Sequence, residues 1–444
     1  MYYNKKVLVA VVLSTVLISS LSTYIHHPET PVLLDNWGLK YNDIVYGVFN
    51  PRFSPYLKPG EVRDKWYNVT KYYMLTRSTR VTVIPYIDYK FEYPPIIGLL
   101  WLVSVNTAIY LNLPEKYTPQ FYRSRYEAII TTHYMVNAIV NASYLLLTIL
   151  FASRIILLKN KEPKKIMLFL ILPSMYLYLI YNWDIICSFF VLTGLYYFYE
   201  RKWLLSGALL GLSISAKILP AVLVLLMIIY LLTLYKGKHI DVKTLAKYML
   251  GLAIGLSPFI FMLISSPRGF TDFITYHASW YCENCLYQVV VPDVFSSLHK
   301  VLSSIAIGSS ILLLAYVIVR KKLDLSKYVF ELGLISMLIA TSLNYVFTPQ
   351  MILLITPLAI VLLDKPRLIF YWLSDLLNFL IMGMFFIEQD IRIHLHNIGL
   401  PVSTSGFNPW TIASPVQWAG VSRDVILLGI AVSMMYKLYK KCLT

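Results

Sequence analysis

Tyr86-Ile87-Asp88-Tyr89-Lys90-Phe91-Glu92-Tyr93-Pro94-Pro95 leads straight into the apolar run Ile96–Leu113. That run approaches the ~20 residues that cross a bilayer as a helix. Two carboxylates and three tyrosines stand at its mouth. An apolar run needs no acids at its entrance to insert, so their clustering points to chemistry at the membrane surface. Asp43, in Lys40-Tyr41-Asn42-Asp43-Ile44-Val45-Tyr46, stands earlier in the same polar stretch.

The rest of the chain repeats the apolar theme. With 58% hydrophobic and 14% charged residues in 444 and a mean hydropathy of +0.62, it falls well short of the roughly 25% charge of a globular domain. Backbone that touches lipid must satisfy its hydrogen bonds internally. The expected fold is therefore all-α: a single integral membrane domain over residues 1–444 with about 12 to 14 helices by hydropathy.

The net charge of +16 is carried largely in short clusters between apolar runs, such as Lys159 to Lys165, Lys236 to Lys243 and Arg320 to Lys327. This is the positive-inside pattern of a multi-pass cell-membrane protein. A nucleic-acid binder would gather its charge on one basic face, so nucleic acid is excluded as a partner. Both termini are expected in the cytoplasm. Val7–Ser22, after Lys5-Lys6, reads as an uncleaved first span rather than a signal peptide.

Threading the basic clusters inside gives Val7–Tyr24 outward, a first outer loop over 25–95, and Ile96–Leu113 inward to a loop with Lys116, Arg123 and Arg125. Tyr126–Leu158, 33 residues, then has to begin and end inside, which predicts two short helices turning near Asn137 to Asn141. A single span there would instead lay Ile96–Leu113 on the membrane. Ile166–Tyr181 and Ile185–Tyr199 flank an outer turn at Asn182-Trp183-Asp184, and Trp203–Tyr235 reads as a hairpin with Lys217-Ile218-Leu219-Pro220 at its apex. Further outer loops are expected over 265–292 and 388–423, with Val425–Tyr439 as the last span. Within the first loop, Val62–Leu75 suits short interfacial helices anchored by Trp66, Tyr67, Tyr72 and Tyr73. Asn68-Val69-Thr70 is a glycosylation sequon.

Four cysteines, Cys187, Cys282, Cys285 and Cys442, make no disulfide framework. Cys282-Glu283-Asn284-Cys285 falls outside, where a disulfide is permitted. Zinc would need two further ligands, and only His277 is near in sequence, so a disulfide or free thiols are favoured over metal.

On this threading Asp35, Asp43, Asp88, Glu92, Asp184, Lys217 and His277 collect on the outer side. Asp35, Glu61 and Asp64 read as solvated loop charges. Asp184 could serve only the positive end of its helix, and Lys217 could simply snorkel out of an apolar sequence where a charge costs about 2.5–3.5 kcal/mol. The functional alternative for Lys217 is contact with a lipid phosphate. A sugar on a polyprenyl phosphate brings its own leaving group. Its transfer needs a carboxylate to take the acceptor's proton and a cation to hold the departing phosphate. A second acid would help by binding sugar hydroxyls or a metal.

Four stretches, in chain order, carry a family resemblance: Tyr41-Asn42-Asp43-Ile44-Val45-Tyr46; Pro85-Tyr86 with Phe91-Glu92-Tyr93-Pro94-Pro95; Asn182-Trp183-Asp184 with Ala216-Lys217-Ile218-Leu219-Pro220; and Phe347-Thr348-Pro349-Gln350. Their order resembles the GT-C superfamily of polyprenyl-phosphate-sugar-dependent glycosyltransferases. The nearest branch holds the catalytic subunit of GPI mannosyltransferase I and related prokaryotic membrane mannosyltransferases. That branch has Asp-x-Asp in the first motif, where this chain has Val45 at the second acidic position.

The resemblance implies an inverting transfer of a hexose, mannose first among them, from a polyprenyl (dolichyl) phosphate carrier to a glycolipid or glycan acceptor on the outer face. Asp43 is then the general base, with Glu92 or Asp88 orienting sugar or a divalent cation, magnesium or manganese. Lys217 and Gln350 would lie near the phosphate, and Asp184, Tyr93 and His277 complete the substrate-binding candidates. Two rivals stand beside this: a transporter or flippase of lipid-linked sugars, which tends to show repeated halves and midplane charges, and a noncatalytic membrane subunit.

Overall fold

A computed structural model describes residues 5–77, 79–114, 121–320 and 325–441; Lys116 and Cys442 lie outside them. Among the described residues the chain is all-α, with isolated bridges but no strand. Seven helices are long and apolar enough to cross a membrane: Val7–His26, Pro95–Asn112, Tyr122–Leu158, Val242–Ser265, Leu298–Arg320, Lys365–Phe385 and Pro415–Lys440. Leu13, Val16, Phe261, Leu312 and Val432 stand exposed on these helices, a liability in water but a matched surface toward lipid.

The expected turn near Asn137 to Asn141 does not form. Phe121–Leu158 is one continuous helix of 38 residues, and its sequence holds neither Gly nor Pro to break it. Asn137 accepts from the Trp183 indole at 2.8 Å, and Asn141 donates to the Asn182 carbonyl at 2.9 Å. Both asparagines are thus tertiary contacts rather than turn residues.

Trp101 packs its ring 4.5 Å from His133, while Asn112 donates to Thr132 at 2.9 Å. Residues ~16 Å apart along the Pro95–Asn112 helix therefore meet consecutive residues of the long helix, so the shorter one runs across it. Arg123, expected on the side opposite the first loop, packs against that loop: its guanidinium lies 4.7 Å from the Tyr56 ring centre.

Two expected spans are built unusually. Residues 163–171 form a 3₁₀ helix that continues into Pro173–Tyr178, and Pro349–Leu354 is a second 3₁₀ segment ahead of Thr356–Leu362. Prolines at 163, 173, 349 and 357 start these pieces, where a missing N–H costs least. Lys161 and Lys165 donate to the carbonyls of Leu362 and Leu363 at 2.7 and 2.6 Å, capping the negative end of the last piece.

The tightest pairing joins Trp203–Ala216 to Val242–Ser265. Gly207 and Gly211 on one helix face Gly251 and Gly255 on the other: a Cβ on Gly251 would stand 2.0 Å from the Leu204 carbonyl oxygen, and one on Gly255 2.2 Å from that of Ala208. Small residues four apart let two backbones touch where lipid offers no hydrophobic drive for association.

Two further expectations shift. The aromatic residues Trp66 and Tyr72 are buried core rather than interface anchors, with Trp66 between Phe53 and Tyr89 at 5.3 and 4.9 Å. The last helix begins at Pro415, inside the stretch expected as an outer loop, and so carries Arg423 and Asp424 into the protein as a fully buried pair at 2.9 Å.

Candidate functional site

A cavity of about 590 Å³ opens where the first loop meets the turns at 181–184, 216–219 and 344–351 and the segment 276–284. Asp43, Glu92, Tyr93, Asp184, Lys217, His277 and Gln350 all line it. Asp88 does not. Its carboxylate pairs with Lys71 at 2.7 Å and accepts the Ile84 amide at 2.7 Å, while its carbonyl receives the Tyr67 and Asn68 amides. Asp88 is a brace of the first loop, and its expected place beside the reacting groups is corrected.

Asp43 opens a π-helical turn, Asp43–Phe49, that Asn42 caps by accepting the Val45 amide at 2.8 Å. The Asp43 amide donates to the Tyr181 carbonyl at 3.0 Å, fixing the turn to the Asn182 segment. Three donors converge on Asp43 Oδ2: Tyr93 Oη and Asn182 Nδ2 at 2.9 Å each, and Gln350 Nε2 at 3.4 Å. Each comes from a different one of the four motif stretches. Asp43 Oδ1 has no hydrogen-bond partner among the described residues, and Gly47 keeps the space beside it open, since a Cβ there would lie 3.0 Å away.

Enclosure dominates the electrostatics. Burial raises the Asp43 carboxyl to about 7, although the bonds from Tyr93 and Asn182 favour its ionised form and hold it down, and the charges of Glu283 and Glu92 add to the rise. Such a group changes protonation near neutrality, as a general base should. Burial also raises Glu92, offset by the Arg52 guanidinium that pairs with it. The Glu92 carbonyl accepts His277 Nε2 at 2.9 Å, and burial lowers the His277 pKa, against the pull of that hydrogen bond.

Lys217 does not snorkel. It sits in the extended break after Trp203–Ala216 and bonds Asp184 at 2.6 Å, with side-chain exposures of 22% and 4%. Asp184 Oδ2 and Gln350 Oε1 are buried acceptors without a partner among the described residues. Buried acceptors of this kind suit a hydroxyl-bearing ligand.

Sequence reasoning missed several lining residues, chiefly Glu283, Trp280, Tyr281 and Trp410. The sequence did offer a signal for Glu283, an acid between two cysteines directly after Trp280-Tyr281, but the motif drew attention to sulfur alone. Cys282 and Cys285 form a disulfide. His299, rather than His277, stands beside it, with Nδ1 3.9 Å from Cys285 Sγ.

The cavity acids do not make a cation cage. Glu92 is engaged by Arg52, Asp184 by Lys217, and Glu283 accepts from the Trp280 indole at 2.9 Å. Among the described residues the one group of three ligand atoms close enough for a metal is Cys282, Cys285 and His299, and its two sulfurs are bonded to each other.

What the lining can do chemically is hold a polar, hydroxyl-rich molecule beside a carboxyl raised to about 7 by burial, with one lysine in the lining to meet an anionic group. No family model, curated protein or solved structure matches this chain.

Proposed function

We propose that the protein is an inverting hexosyltransferase that uses a polyprenyl-phosphate-linked sugar. Asp43 takes the proton of an acceptor hydroxyl placed at its free Oδ1. The deprotonated acceptor oxygen attacks the sugar's anomeric carbon, the bond from that carbon to the phosphate oxygen breaks, and the carrier leaves as a phosphate with its electron pair. Lys217 offers the cation at the phosphate. Tyr93, Asn182 and Gln350 keep Asp43 Oδ2 occupied, so the carboxylate cannot rotate away from its task. Mannose and inversion rest on the family resemblance, as does the donor class.

The observation that carries this reading is the meeting of the first, second, third and fourth motif stretches at one carboxylate oxygen. The test uses the purified full chain in nanodiscs, dolichyl phosphate mannose labelled in the sugar, and octyl α-mannopyranoside as acceptor. Wild type should transfer label, and Asp43→Asn should lose roughly 10²–10⁴-fold of the rate with an unchanged gel-filtration profile. Full activity in Asp43→Asn would reject the assignment of the base.

A further inference from the structure

Beside Asp43 the cavity wall changes character. The Cys282–Cys285 bond closes a four-residue ring, and Asn284 takes up a left-handed conformation, φ 51°, that asparagine tolerates better than most residues. Glu283 rides on this ring. Its backbone is clamped on both sides, the amide donating to the Tyr345 carbonyl at 3.1 Å and the carbonyl accepting the Phe347 amide at 3.0 Å. The Trp280 indole holds Glu283 Oε2 at 2.9 Å, and Oε1 has no hydrogen-bond partner among the described residues.

A chain of aromatic rings runs on from that indole. Trp280 and Tyr281 lie nearly parallel, 17° apart with centres at 6.0 Å, and Tyr276 meets Trp280 edge-on at 4.8 Å. Trp410 closes the group by donating its indole N–H to Tyr281 Oη at 3.2 Å. All five residues line the cavity, where Lys217 is the sole lysine or arginine among the lining residues.

We infer that Glu283 with Trp280, Tyr281 and Trp410 forms the acceptor subsite, binding a neutral pyranose by its hydroxyls and its apolar ring face. The inference rests on the transferase reading above. Ring faces present flat apolar surface with polar edges, matching the C–H face of a pyranose, and a fixed carboxylate oxygen accepts strong hydrogen bonds from its hydroxyls. The one lysine or arginine of the lining, Lys217, draws the donor's phosphate to its side, which leaves the Glu283 wall to the acceptor. Glu283 and Asp43 line the same cavity, so the acceptor site and the base share one enclosed space.

The test separates binding from transfer. Saturation-transfer NMR of the full chain in nanodiscs, with methyl α-mannopyranoside and methyl α-glucopyranoside as probes, should show contact with at least one sugar. Glu283→Gln and Trp280→Ala should weaken that contact about tenfold, as loss of a charged hydrogen bond implies. Trp280→Phe, which keeps a ring, guards against a folding defect and should weaken it less. In the transfer assay Glu283→Gln should raise KM for octyl α-mannopyranoside about tenfold while leaving KM for the donor within about twofold. Unchanged saturation transfer in both Glu283→Gln and Trp280→Ala, no contact with either sugar in wild type, or a rise in donor KM instead of acceptor KM would each overturn the subsite. If wild type transfers no sugar but the binding pattern holds, the transferase reading falls and the saccharide site stands.

Discussion

Asn182 Nδ2 donates to Asp43 Oδ2 at 2.9 Å across 139 positions of sequence. The same nitrogen lies 3.2 Å from Tyr93 Oη, so one amide organises both the carboxylate and its other short donor. Burial raises the Asp43 carboxyl to about 7, and the amide opposes that rise. With Asp43 as the proposed base, activity should fall below that pH, where its carboxyl carries a proton, and hold above it. Removing the amide takes a hydrogen bond from the charged form, worth about 1.5–3 kcal/mol, or roughly one to two pH units. Asn182→Leu should therefore move the acidic limb of the kcat/KM profile upward from near 7 by about that amount. A limb that stays in place would mean that Asp43 is not the titrating group.

Lys217 and Asp184 should behave as a unit. Lys217→Met leaves a carboxylate at 4% exposure without its cation, which costs roughly 3 kcal/mol, the low end for a broken buried pair. The double variant Lys217→Met with Asp184→Asn should regain most of that stability in thermal unfolding. Transfer should stay low in both, because the cation is missing in both.

The glycine contact gives a test free of the site. Gly251→Leu drives a side chain into the Leu204 backbone, and overpacking of this kind costs about 1–3 kcal/mol. Gly308 has nothing within 4 Å of its Cβ position, so Gly308→Leu should leave the melting temperature unchanged. Equal effects from the two would refute the close helix pairing.

Asp88 separates structure from chemistry. Asp88→Asn weakens the bond to Lys71 and should lower thermal stability by about 1–3 kcal/mol. Its kcat, measured where the protein remains folded, should match wild type. A large fall in kcat would return Asp88 to the reacting groups.

Much of the site was readable because Glu92, Lys217 and Gln350 each stand beside an apolar run, where charge and amide groups are conspicuous, and Asp43 stands in the polar first loop that precedes one. Hydropathy also located most helices. It could not say that Asn137 and Asn141 bond Trp183 and Asn182 instead of turning the chain, since a polar residue in a span looks alike in both roles. Nor could it separate Asp88 from Glu92, whose different partners, Lys71 and Arg52, are set by folding of the first loop. Arg423 falls at the end of an expected outer loop, since a charge reads there as the boundary of a span. In the fold it is satisfied within the protein by Asp424, Asn378 and the Phe347 carbonyl.

The ring at Cys282–Cys285 also bears on how the protein matures. Its two sulfurs must hand their electrons to an oxidant, and disulfides form in oxidising compartments. The wall carrying Glu283 would then be finished only once that segment meets such a compartment. Cells depleted of thiol oxidase should accumulate full-length, membrane-inserted chain whose unpaired thiols react with maleimide.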